Sequence, residues 1–169
     1  MVHLSLITGA ELLKDDNLLS QLSELFSTNY GIWTEKGPRP GELVMMSTRL
    51  MKELLVFDAN VTGVVVARLS PNSSRIVAYS FYCIFNTESL GKVCWITQLV
   101  TCGAVRHKGL ATSVIRAVLN SDDFAACGLV TPNPYAIRAL EKATSCKCDP
   151  KIIKKYRMEK NKHLKKIYC

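Results

Sequence analysis

The segment that decides the fold runs from Gly91 to Leu119: GKVCWITQLVT (91–101), then CGAVRHKGLA (102–111), then TSVIRAVL (112–119). It reads as strand, tight loop, helix. The first part is rich in β-branched and aromatic residues with one charge, Lys92, which suits a strand covered on both faces. The last part places Ala111, Val114, Ile115, Val118 and Leu119 at the spacing of one helical face. The glycines and basic residues fall between them, where a helix begins. A helix start has N–H groups without partners and the positive end of the peptide dipoles, so an anion docked there is stabilised twice. Arg106 and Lys108 add mobile positive charge, and Gly109 has no Cβ to keep a phosphate off the main chain. A phosphate or pyrophosphate is the expected ligand.

Outward from this segment, the chain has 169 residues, 48% of them hydrophobic and 21% charged, the composition of one globular domain with a real core. No run approaches eighteen uninterrupted apolar residues, and Met1-Val2-His3-Leu4-Ser5 is not a basic start followed by an apolar stretch, so membrane-spanning and secretory readings both fail. The seven cysteines are scattered, and Cys83, Cys94 and Cys127 sit in apolar strand-like runs. Reduced thiols in the cytosol or nucleus are the expectation, and a cytoplasmic protein follows. Cys146-x-Cys148 lacks zinc-knuckle spacing, with only His163 and Cys169 downstream, and no metal is expected. The net charge of +8 arises from Lys142 onward, where ten Lys or Arg face two Asp or Glu; residues 1–141 hold twelve of each.

The remaining elements follow from pattern. A short strand is expected at 3–7 and a helix over 9–29, with Leu18, Leu19, Leu22, Leu25 and Phe26 on its apolar face. Residues 30–41, with Trp33, Pro38, Arg39 and Pro40, form a loop that either recognises a substrate or closes the core with Ile32 and Trp33. A second helix is expected over 41–54, with Leu43, Met46, Leu50 and Leu54 on one side. Strands at 62–69 and 75–85, separated by Ser70-Pro71-Asn72-Ser73-Ser74, make a hairpin that continues through 86–91 into the key strand as an antiparallel meander. Residues 125–131 read as a small-residue strand, parallel to the key strand across a right-handed helical crossover. Asn133 or Thr131 caps the helix that follows, with Pro134 in its first turn.

Arg106-x-x-Gly109-x-Ala111 between strand and helix resembles the acyl-CoA-binding signature of the GNAT acetyltransferase superfamily, and Asn133-Pro134-Tyr135-Ala136 through Glu141-Lys142-Ala143 resembles its second motif. The resemblance covers about residues 1–148 and implies an α/β fold: a mixed, mostly antiparallel sheet with a splayed parallel strand pair, flanked by about four helices. A weaker likeness of Trp95–Val100 points to a little-characterised fungal branch. The implied activity is transfer of an acetyl group from acetyl-CoA to a primary amine, on a small molecule or a peptide, by direct attack. Implied cofactor contacts are the main chain of Leu99, Val100 and Thr101 along pantetheine, with one N–H of Leu99 or Val100 on the thioester carbonyl. Residues Arg106, His107, Lys108, Gly109, Leu110, Ala111 and Thr112 would cradle the pyrophosphate, and Asn133 would touch the arm from the other side.

Two departures bear on function. Leu140 stands where many members have a tyrosine that protonates the departing thiolate, and leucine donates no proton. A thiol of pKa about 8.5 still leaves as the anion near neutral pH. The key strand holds no carboxylate to serve as base, so low-pKa amines are the easier substrates: an α-amine near ~7.8 is neutral in over about a tenth of molecules at pH 7, a lysine amine near ~10.4 in about one in two thousand. Past Ser145 the chain is too short and too charged for the family's usual closing strands, so these are short or missing, and 149–169 is expected to be a basic tail. Two rival readings stay open: a CoA-binding protein without transfer activity, and an interaction module whose tail binds nucleic acid or an acidic partner.

Overall fold

The computed structural model describes residues 2–131, 133–149 and 151. In chain order the elements are β1 (His3–Thr8), α1 (Gly9–Leu12), α2 (Asp16–Asn29), α3 (Thr48–Leu55), β2 (Thr62–Arg68), β3 (Ile76–Thr87) and β4 (Gly91–Thr101). A 3-10 turn (Gly103–Val105) leads to α4 (Leu110–Leu119), β5 (Ala126–Leu129) and α5 (Pro134–Thr144). They form one sheet in the order β1-β2-β3-β4-β5, antiparallel except for β4 and β5. Mixed sheet, meander and parallel pair are as the sequence pattern requires. The 149–169 tail lies, apart from Asp149 and Lys151, outside the described residues.

Two helices differ from expectation. The stretch 9–29 is two helices, because the Asp15 side chain accepts from the Leu18 N–H and starts α2 afresh, while Thr8 and Glu11 cap α1 reciprocally. The Glu11 carboxyl is held below its usual range by the Thr8 backbone N–H. The expected helix over 41–54 begins only at Thr48, capped by the Ser47 hydroxyl. Residues 31–44 are instead a small ribbon: Ile32 bridges Leu43, Trp33 N–H donates to Glu42 C=O and Val44 N–H to Gly31 C=O. Met51 and Leu55 are the buried side of α3, whereas Leu50 and Leu54 are 38% and 40% exposed.

The core lies on both faces of the sheet. Leu99 packs with Ile115, Ala139 and Leu140 of α4 and α5, together with Cys127 and Leu129. Its neighbour Gln98 reaches Met46 in the α2–α3 connection. Side chains alternate across a strand, so the α4/α5 layer and the α2/α3 layer cover opposite faces of β4. The six described cysteines are free thiols. Burial pushes the Cys83 thiol up to about 12, and Cys94, hydrogen-bonded to Cys127 and fully buried, is pushed up further; Cys127 is lowered by the same bond. Cys94 and Cys127 stand directly opposite each other across the parallel pair.

One glycine is dictated by packing at that pair. A Cβ on Gly128 would stand 2.1 Å from Cζ3 of Trp95, the residue facing it on β4. Gly128→Ala is therefore expected to destabilise the fold by about 1–3 kcal/mol, read as a lower urea midpoint with unchanged slope.

Candidate functional site

β4 is eleven residues long and β5 only four. Their pairing runs from Val93↔Ala126 to Ile96↔Leu129 and stops, so residues 97–101 of β4 have a strand neighbour, β3, on one side only. The ladder between the two strands ends there, which leaves a gap in the pairing. The chain leaves β5 to cap the next helix: Asn133 N–H donates to the Thr131 hydroxyl, and Asn133 Oδ1 accepts from the Tyr135 N–H.

A second irregularity lies at the end of that ladder. Phe81 faces Gln98, but Tyr82 faces Ile96, which leaves Thr97 as an extra residue, a β-bulge in β4. The Thr97 hydroxyl is buried with no hydrogen-bond partner among the described residues. Beyond the bulge, Cys102 N–H donates to Val77 C=O and Val100 faces Tyr79. Backbone groups alternate in direction along an antiparallel strand, so Val100 also points to β3, and Leu99 and Thr101 point into the gap. Of the two N–H groups expected at a thioester carbonyl, that of Leu99 is turned away from β3 and that of Val100 toward it.

The turn after β4 leads straight into the start of α4. Gly109 is the N-cap of α4 with φ 80°, and a Cβ there would meet nothing within 4 Å. No side chain caps this helix, so the N–H groups of Leu110, Ala111 and Thr112 face outward without a helical partner. His107 also has positive φ, 62°, and its ring meets Tyr135 edge-on at 5.2 Å, which ties this turn to the start of α5. Lys108 is exposed; Leu110 is buried in the core, so only its main chain is available.

Arg106 behaves differently from a mobile cation. Its guanidinium donates to Asn29 C=O at the end of α2 and to Thr101 C=O at the end of β4, and its N–H donates to Gly103 C=O. Asn29 answers through Oδ1, which accepts from Gly103 N–H at 2.7 Å. Arg106 thus clamps the loop to α2, and Asn29, whose only signal in the sequence was its place at a helix end, is its partner.

Leu140 is 6% exposed and packed in the α4/α5 cluster, and Glu141 accepts from the Cys148 N–H while pairing with Lys147. Neither stands as a proton donor to the gap. On the opposite face, Tyr79, fully buried, donates from its hydroxyl to Gln98 Oε1 at 2.6 Å, and Gln98 Nε2 donates to Met46 Sδ at 3.6 Å. Burial holds the Tyr79 phenol well above its usual range. β3, β4 and β5 contain no Asp or Glu. Among the described residues no helix is long and apolar enough to cross a membrane, and no group of three potential ligands could hold a metal.

No protein-family model matches the chain, and no curated protein matches it in sequence. Solved structures do. A ribosomal-protein-alanine N-acetyltransferase from Brucella melitensis biovar Abortus 2308 is similar at TM-score 0.58 and 15% identity, over 89% of this chain and 94% of that one. An aminoglycoside acetyltransferase from an uncultured soil metagenomic sample, solved with sisomicin, gives 0.57 and 17% over 87% and 88%. An aminoglycoside N-acetyltransferase in complex with CoA gives 0.56 and 11% over 88% and 89%.

The bulge yields a direct test. Thr97→Val removes an orphan hydroxyl that costs about 1–3 kcal/mol when buried unpaired, so the variant is expected to melt at a higher temperature than the wild type by scanning calorimetry.

Proposed function

We propose that this chain, which has the GNAT acetyltransferase fold, binds acetyl-CoA between β4 and β5 and transfers its acetyl group to a primary amine. The single observation that carries the reading is the coincidence of two features at one end of β4: an uncapped helix start with open space over Gly109, and a neighbouring strand pair that stops pairing at Ile96 and Leu129. The first suits a pyrophosphate and the second a thioester arm, and they follow each other in the order in which CoA carries those groups.

Each residue has a separate part. The N–H groups from Gly109 to Thr112 receive the phosphates, with Lys108 as the exposed cation beside them. Leu99 and Thr101 present backbone groups to the arm as a missing strand would, and Leu99 N–H is the donor for the thioester carbonyl. Asn133 lines the far wall. His107 is held against Tyr135, and Arg106 keeps the loop fixed on α2 rather than reaching for the ligand. Acetyl-CoA, when bound, supplies the electrophilic carbonyl carbon; the protein supplies position and an oxyanion donor. The comparison structure solved with CoA supports a CoA-type ligand in this fold. A CoA-binding protein without transfer activity is the second reading, favoured by the burial of Leu140.

Isothermal calorimetry with acetyl-CoA tests binding. Gly109→Asp places bulk and negative charge in the cradle and is expected to weaken the dissociation constant at least tenfold, about 1.4 kcal/mol, with the circular dichroism spectrum unchanged. Equal affinity in the two proteins overturns the site. Thiol release above background with an amine panel supports transfer, and binding without release supports the second reading.

A further inference from the structure

The α2/α3 face of β4 carries a polar group that the cofactor site does not use. The pyrophosphate cradle and the arm are served by α4, α5 and the main chain of β4. A second substrate must approach the thioester from elsewhere, and the opposite face of the strand, at the bulge, is where Gln98 stands. Gln98 is half-buried and adjoins Leu99, whose N–H points into the gap. Its amide has four hydrogen-bonding positions. Tyr79 Oη–H takes one lone pair of Oε1 and Met46 Sδ takes one N–H, and these contacts fix the amide's rotation. Among the described residues, one lone pair on Oε1 and one N–H remain. The titratable groups set against this relay are phenols, Tyr79 and, beside it, Tyr30 at the end of α2; the flanking strands bring no carboxylate.

We infer that Gln98 is the residue that receives the acceptor amine, holding an already neutral nitrogen through Oε1 without removing its proton. The inference rests on the transferase reading. In the step, the amine nitrogen forms the new C–N bond to the acetyl carbon, the C–S bond breaks, and the thiolate leaves with its electron pair; the proton lost by nitrogen goes to solvent and the thiolate is protonated from it. An amide oxygen orients the N–H so that the nitrogen lone pair faces the carbonyl, and does no more. The substrate's own ionisation then sets the rate, and the acceptors selected are amines of low pKa, such as a peptide α-amine.

The test is the pH dependence of kcat/KM for two acceptors, an alanyl dipeptide and Nα-acetyl-lysine, in the wild type and in Gln98→Glu. In the wild type a single limb is expected, rising tenfold per pH unit to the pKa of each amine and moving with it. Gln98→Glu keeps an acceptor for Tyr79 and is expected to add a limb at one pH common to both amines. Gln98→Leu, made together with Tyr79→Phe so that no buried hydroxyl is stranded, is expected to lose at least tenfold in kcat/KM while acetyl-CoA binding by calorimetry stays unchanged. A limb fixed across amines in the wild type reveals a protein base and overturns the inference, as does wild-type kcat/KM in the double variant. Acetyl-CoA binding with no thiol release from any acceptor shows that the transferase reading itself has failed, and the role of Gln98 falls with it.

Discussion

The structure depends on an unequal strand pair. Every backbone N–H and C=O needs a partner, and β4 carries eleven residues of them against four in β5. Past Ile96 the sheet cannot supply those partners on one side. Thr101 C=O is met by Arg106, and no further strand pairs with that edge among the described residues. β5 is short because α5 begins so soon after it: Thr131 and Asn133 are engaged in capping, with Pro134 as the first helical residue. The local chemistry of one helix start thus opens the gap in the sheet.

The bulge at Thr97 gives that gap two sides. Without the extra residue, strand parity would put Gln98 on the α4/α5 face, and Leu99 would exchange places with it. With it, Leu99 packs toward α4 and α5 and Gln98 toward Tyr79 and Met46. The orphan Thr97 hydroxyl is a local cost accepted at the same point. Sheet irregularity and unsatisfied polarity coincide where β4 loses β5 as its neighbour.

The contrast between what the sequence disclosed and what it hid follows from distance along the chain. The β4–α4 junction was legible because its signals are consecutive: a buried-strand composition, glycines, then a helical stripe. The span 41–54 misled because Leu43, Met46, Leu50 and Leu54 keep helical spacing, while Gly41 (φ 82°), the Ile32–Leu43 bridge and the Ser47 cap outweigh that spacing. The break at Asp15 was hidden because a capping aspartate looks like one more polar residue on a helix surface. Arg106 was legible as a cation near the start of α4 but not as a clamp, since its partner Asn29 lies 77 positions away. The Tyr79–Gln98–Met46 relay was invisible for the same reason: the tyrosine lies 19 positions from the glutamine and the methionine 52.

The most informative property of the strands around the gap is how little charge they carry. The chain has 22 basic and 14 acidic residues, yet its three gap-forming strands hold one charge, Lys92, and that is paired with Asp122 at the strand's far end. Placing a carboxylate where the pairing ends would require desolvating it against Tyr79, Phe81 and Val100, all buried. The cost of doing without one can be weighed. General acid–base help is worth about 10²–10⁴ in rate, whereas positioning two reactants is worth effective molarities of about 10⁵–10⁸ M. On the proposed reading, a site built from backbone donors, a glycine cradle and a fixed amide would keep the larger contribution and give up the smaller. On the proposed transferase reading such a site would select by protonation state, favouring amines that shed their proton unaided, and both Leu140 and the absence of a carboxylate from β4 fit that reading.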